Sequence, residues 1–139
     1  MRWVRLFVSG AALASLASLA STQSPAGDAA ATSAASAPAA FGACTECHAT
    51  TKGAAALEGP NLWNVGGRTA GINTDEDFPY SAAMKSSNIT WNAENLTKYI
   101  MSPSQIVPGT EMNYRGQPDP AAAKAIADYL LTLKDPVTG

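Results

Sequence analysis

The sequence predicts an all-α domain of about three main helices, joined by short helical turns and long loops. Three observations lead there. No run of alternating apolar and polar residues persists anywhere, so no half-buried strand is expected. Capped segments with a 3.6-residue apolar period occupy the second half of the chain. Between residues 49 and 77 the chain is broken by Gly53, Gly59-Pro60, Gly66-Gly67 and Gly71, and loops of that length in a compact domain need a body to pack on.

The body is indicated just upstream. Both cysteines and the single histidine fall within Cys44-Thr45-Glu46-Cys47-His48, a C-x-x-C-H pattern that reads as a c-type haem attachment site. Two thiols on one side of a helical turn can add across the haem vinyl groups as thioethers. The adjacent His48 then lies under the iron as proximal ligand. A thioredoxin-like C-x-x-C would need a βαβ context that is missing. Zinc normally has four ligands, and this chain offers three crowded onto one turn.

Taken in order, Arg2 and Arg5 followed by the apolar run from Leu6 to Ala20 read as a secretory signal peptide, cleaved after Ala20 or Ser21. That run is short for a membrane span, which wants ~20 apolar residues. Residues 21–40 are almost entirely Ala, Ser, Thr, Pro and Gly, and cannot bury enough surface to offset chain entropy. The boundaries are therefore drawn as signal peptide 1–21, disordered tail or linker 22–36, and domain 37–139. Retention of the signal would make the tail a flexible membrane tether.

Within the domain, residues 37–48 open as a helix with Ser36 as N-cap and Pro38 in its first turn. Residues 80–85 make one short turn. Asn92 caps a helix over 93–101 that turns Leu96, Tyr99 and Ile100 to one face and is ended by Pro103. Another short turn starts at Ser102-Pro103-Ser104-Gln105. The final helix has Asp119 as N-cap, Pro120 at its first position and an apolar stripe of Ala122, Ile126, Tyr129, Leu130 and Leu133.

The formal net charge is −2 and the basic residues are scattered, so nucleic acid is excluded as a partner. Export delivers the two thiols to an oxidising compartment, where they must be captured or paired. A domain of this size buries only ~65 % of its unfolded surface, so the chain without haem is expected to fold poorly. With one histidine in the chain, the far side of the iron falls to a methionine sulfur, a lysine amine or water. Of Met84, Met101 and Met112, Met101 belongs to a helical apolar face, whereas Met112 follows Pro108-Gly109-Thr110-Glu111 in a stiffened loop and is the favoured ligand.

The haem motif is followed by Gly59-Pro60-Asn61-Leu62, Gly67-Arg68, Phe78-Pro79-Tyr80, Ile89-Thr90-Trp91, Leu96 with Tyr99, Pro108-Gly109-Thr110-Glu111-Met112 and a helix bearing Tyr129-Leu130. In that order, over residues 41–133, the chain resembles the class I cytochromes c, the mitochondrial-type branch and its bacterial relatives. The resemblance implies a class I cytochrome c fold and one haem c held through Cys44 and Cys47. Pro60 is implied as carbonyl acceptor for His48, and Arg68, Tyr80 and Trp91 as donors to a buried haem propionate. Tyr99 and Thr110 are implied as polar groups on the methionine side, and Met112 as distal ligand opposite His48.

The implied protein is a periplasmic one-electron carrier and not an enzyme. Its partners would be redox proteins such as a cytochrome reductase, an oxidase or a periplasmic dehydrogenase. It is expected to be a monomer, touching the membrane only through partners or an uncleaved signal. An open-iron haem enzyme or gas sensor is the competing reading, but it lacks a second histidine. Two departures stand out. Lysines are few and Asp75-Glu76-Asp77 is acidic, so docking is expected to be mostly apolar with weak steering. Met84 also stands where the family often has a polar residue.

Overall fold

A computed structural model describes residues 35–72 and 77–136. The signal peptide, nearly all of the tail, Asp75 and Glu76 lie outside the described residues. Among those described, the architecture is helical: a 3₁₀ helix at Ala39–Cys44, then α1 (Ala82–Ser86), α2 (Ala93–Met101), α3 (Pro103–Ile106) and α4 (Pro120–Thr132). The only extended pairing among them is one antiparallel bridge between Thr69 and Thr90. It is flanked by bonds from Gly67 N to the Trp91 carbonyl (2.8 Å) and from Ala70 N to the Ile89 carbonyl (2.7 Å).

The first element differs from the helix expected over 37–48. Pro38, extended at φ −66° and ψ 149°, stands at the N-cap without a side-chain cap bond, so Ser36 does not cap it. The bond from Phe41 N to the Pro38 carbonyl spans three residues, the tighter 3₁₀ pattern. A run this short that contains Gly42 does not sustain a regular α-helix. One α-type bond returns where it bears on function, from His48 N to the Cys44 carbonyl at 2.9 Å. The C-x-x-C-H segment thus closes a single helical turn.

α1 is capped by Ser81, whose hydroxyl accepts from Met84 N, and so begins at Ala82, two residues later than the turn expected from residue 80. α2 and α4 follow their caps: the Asn92 side chain accepts from Asn95 N and the Asp119 side chain from Ala121 N. Leu96, Tyr99 and Ile100 are buried as expected, and α2 packs chiefly on α4. The buried face of α4 is turned by about one residue from the expected stripe. It consists of Ala123, Ile126, Ala127 and Leu130, with Leu133 buried just past the end, whereas Ala122 and Tyr129 are half-buried. The physical reason is size: alanines at 123 and 127 let α2 approach closely. Tyr129 instead meets the Phe41 ring edge-on at 4.8 Å, fastening the opening 3₁₀ helix to α4.

Candidate functional site

A cavity of about 710 Å³ lies among the loops and helices, within the range of cofactor pockets. All ten sequence-predicted site residues line it: Cys44, Cys47, His48, Pro60, Arg68, Tyr80, Trp91, Tyr99, Thr110 and Met112. Of the other methionines, Met84 lines it and is buried, whereas Met101 packs against the hydrophobic core.

His48 enters from the turn closed by Cys44. Its Nδ1 lies 2.7 Å from the Pro60 carbonyl oxygen. A carbonyl can only accept, so Nδ1 carries the hydrogen and Nε2 is left with a lone pair. The loop is brought close by Gly59, whose N–H donates to the Cys47 carbonyl at 2.8 Å. A methyl group at Gly59 would lie 2.6 Å from Nδ1 and 2.9 Å from Nε2 of His48, and closer still to Cε1. The positions of loop and ring therefore depend on each other.

Cys44 and Cys47 are half-buried in the cavity wall. Burial pushes the Cys44 thiol up, with the neighbouring Cys47 adding to it, and Cys47 is raised first by its bond to Glu58 (3.5 Å). A catalytic thiol needs the opposite shift, which speaks against thiol redox chemistry. Among the described residues, no group of three or more His, Cys, Asp or Glu side chains is disposed to hold a metal ion.

The polar residues fall into two sets. Arg68 donates from Nη2 to the Asn61 carbonyl at 2.9 Å, and Trp91 and Tyr99 stack tilted with ring centroids 5.0 Å apart. Tyr80 is held edge-on by Phe78 at 4.9 Å. In the second set, Tyr99 Oη and Thr110 Oγ1 are 3.0 Å apart, and Thr110 Oγ1 accepts from Met112 N at 3.3 Å. Burial raises the Tyr99 hydroxyl pKa, with the Thr110 bond pulling the other way, so it stays a neutral hydroxyl.

Two contributors were not singled out in the sequence. Gly59 and Asn61 stood there only within the Gly59-Pro60-Asn61-Leu62 motif, with no role given to either. Asn61 is buried at 8 % exposure, and its Nδ2 ties the Thr51 and Ala54 carbonyls, both at 2.8 Å, while its own carbonyl takes Arg68. A single asparagine thereby organises the glycine-rich loop.

The residues present fit a haem. The cavity has the volume of a cofactor site, two thiols and an imidazole converge on it from one turn, and His48 is already in the tautomer that leaves Nε2 available.

No protein-family model matches the chain. Cytochrome c2 of Rhodopila globiformis is 46% identical over 91 residues, 66% of this chain and 83% of that protein. Cytochrome c2 iso-2 of Magnetospirillum molischianum is 40% identical over 94 residues, 68% of this chain and 94% of that protein. Among solved structures, cytochrome cH from Methylobacterium extorquens superposes with a TM-score of 0.61 at 35% identity, covering 67% of this chain and 91% of the other.

Proposed function

The chain belongs to the class I cytochromes c and is a small haem c electron carrier, and from that premise we propose that it works in the periplasm with His48 and Met112 as axial ligands. The haem, bound covalently through Cys44 and Cys47, supplies one-electron chemistry between ferrous and ferric iron. The rest of the work falls to the chain. Cys44 and Cys47 anchor, and Pro60 fixes the tautomer and angle of His48 through the 2.7 Å contact.

Tyr99 and Thr110 steady the Met112 segment, through the Thr110 oxygen shared between Tyr99 Oη and Met112 N. Arg68, Tyr80 and Trp91 serve a haem propionate. With His48 and Met112 both holding the iron, no position would remain for substrate, and the ligands would not need to change when the electron moves.

The observation that carries this reading is the His48–Pro60 contact in the same cavity that Met112 lines. The test is the ferric absorption spectrum: wild type is expected to show a sulfur-to-iron charge-transfer band, and Met112→Ala to abolish it. Loss of the band in Met84→Ala or Met101→Ala, with Met112→Ala retaining it, overturns the ligand assignment.

The periplasmic reading rests on the signal-like residues 1–21. Among the described residues no helix is long and apolar enough to cross a membrane. Fractionation with N-terminal sequencing is expected to give a released protein beginning near residue 22. A membrane-held protein that keeps residues 6–20 supports the tethered form instead. In this reading the carrier is a monomer whose partners are redox proteins such as a cytochrome reductase, an oxidase or a periplasmic dehydrogenase.

A further inference from the structure

We propose that the open side of the haem cavity is an apolar docking face that selects a redox partner presenting lysine and arginine side chains around a non-polar centre. This rests on the carrier reading and adds the chemistry of the partner. Leu57 and Ile72 are 57% and 54% exposed and both line the cavity. A side chain that is at once exposed and part of the lining stands at the opening. Of the large apolar residues exposed among those described, only Ile106 lies elsewhere. Aliphatic surface held at the mouth of a functional cavity and bordered by polar groups marks an interaction site.

The polar border has one sign. The exposed charged residues lining the cavity are Glu46, Glu58, Asp77 and Glu111. No lysine lines it, and Arg68 is half-buried with its guanidinium on the Asn61 carbonyl. Elsewhere three exposed cations have carboxylate partners, Lys52 with Asp135, Lys98 with Glu94 and Lys124 with Asp128, at 2.7, 2.6 and 2.6 Å, and the exposed Lys85, Arg115 and Lys134 do not line the cavity. The cavity lining therefore carries four exposed carboxylates and no exposed cation at the place where the electron leaves. Docking combines burial of Leu57 and Ile72 with attraction of a basic rim, and the field acts mainly on the rate of encounter.

The test uses the holoprotein and two outer-sphere oxidants of opposite charge, tris(phenanthroline)cobalt(III), a cation with flat apolar ligands, and the hexacyanoferrate(III) anion. One electron leaves the ferrous protein and reduces the complex by one, with no bond or proton moved. Oxidation rates are measured against ionic strength by stopped flow for three proteins. These are wild type, the mouth triple Glu46→Gln/Glu58→Gln/Glu111→Gln, and the remote triple Glu94→Gln/Asp128→Asn/Asp135→Asn. The two triples have the same net charge, and the remote one breaks only exposed ion pairs of small stabilising value.

For wild type, the rate with the cation is expected to fall with added salt and the rate with the anion to rise. At low salt the mouth triple should slow the cation roughly tenfold relative to wild type, the low end of steering effects. The remote triple should slow it far less. All differences should fade toward 1 M salt, where the Debye length is about 3 Å. Equal slowing by both triples, or salt trends of the opposite sign, overturns the proposal while leaving the carrier reading intact. A wild-type protein lacking the sulfur-to-iron band and inert toward both complexes overturns the carrier reading and this one with it.

Discussion

The missing side chain of Gly59 governs how the histidine sits. A methyl there would overlap Cε1 of His48 and crowd Nδ1 at 2.6 Å, and both the ring and the backbone beneath it are held, one by Pro60 and the other by the Cys47 carbonyl. Gly59→Ala is therefore expected to cost about 1–3 kcal/mol as overpacking, read by denaturant unfolding of the holoprotein. Gly42→Ala is the control, because nothing lies within 4 Å of a Cβ at that position; an equal loss in both would remove the steric explanation. Tyr99 gives a pH signature. Burial raises its folded pKa above the ordinary 10.0, so the stability it contributes is complete below pH 10.0 and is lost as pH rises through the higher folded value. Tyr99→Phe, which removes the 3.0 Å bond to Thr110, should cost about 1 kcal/mol at neutral pH. That difference should shrink as the pH passes above 10.0. A difference constant through that range would count against the buried phenol as its cause.

At the scale of elements, what could be read in the sequence was whatever depends on neighbours along the chain. Asn92 and Asp119 announced α2 and α4 because a cap needs only the next turn, and both make the expected side-chain bonds. The opening 3₁₀ helix and the rotated face of α4 could not be read in this way. Ala123 and Ala127 carry weak hydrophobic weight in a periodicity, yet they are fully buried on a helix that packs chiefly on α2. Ile126, also fully buried, belongs to the same helix face and lines the cavity. Ile126→Ala is expected to lower the stability of the holoprotein by about 2–5 kcal/mol through lost burial and the void left behind. Thermal or denaturant unfolding measures it, and a loss no larger than that of an exposed alanine substitution would mean that the α2–α4 interface relaxes to fill the space.

At the scale of the whole molecule, the ten site residues are spread over residues 44–112 and converge on one cavity. Their order along the chain was legible because it is that of a known family. The acidic mouth was not, since Glu46, Glu58, Asp77 and Glu111 are far apart in sequence and only the fold gathers them. Weak steering was expected from the few lysines and the acidic Asp75-Glu76-Asp77, but such a count is silent about where charges stand in the fold. The same convergence makes folding depend on the cofactor. The cavity of about 710 Å³ is bounded by Val65, Trp91, Leu96, Ile100, Ile126 and Leu130, which also belong to the hydrophobic core. Water in that space would meet mainly apolar walls, whereas a covalently held apolar body completes the core and binds the native state alone. The double variant Cys44→Ser/Cys47→Ser, purified without haem, is therefore expected to lose most of its far-ultraviolet helical signal and its cooperative unfolding transition, while the wild-type holoprotein keeps both. A haem-free variant with the helical signal and sharp transition of the holoprotein would show that α2 and α4 suffice, and that the cavity is a preformed site rather than the missing half of the core.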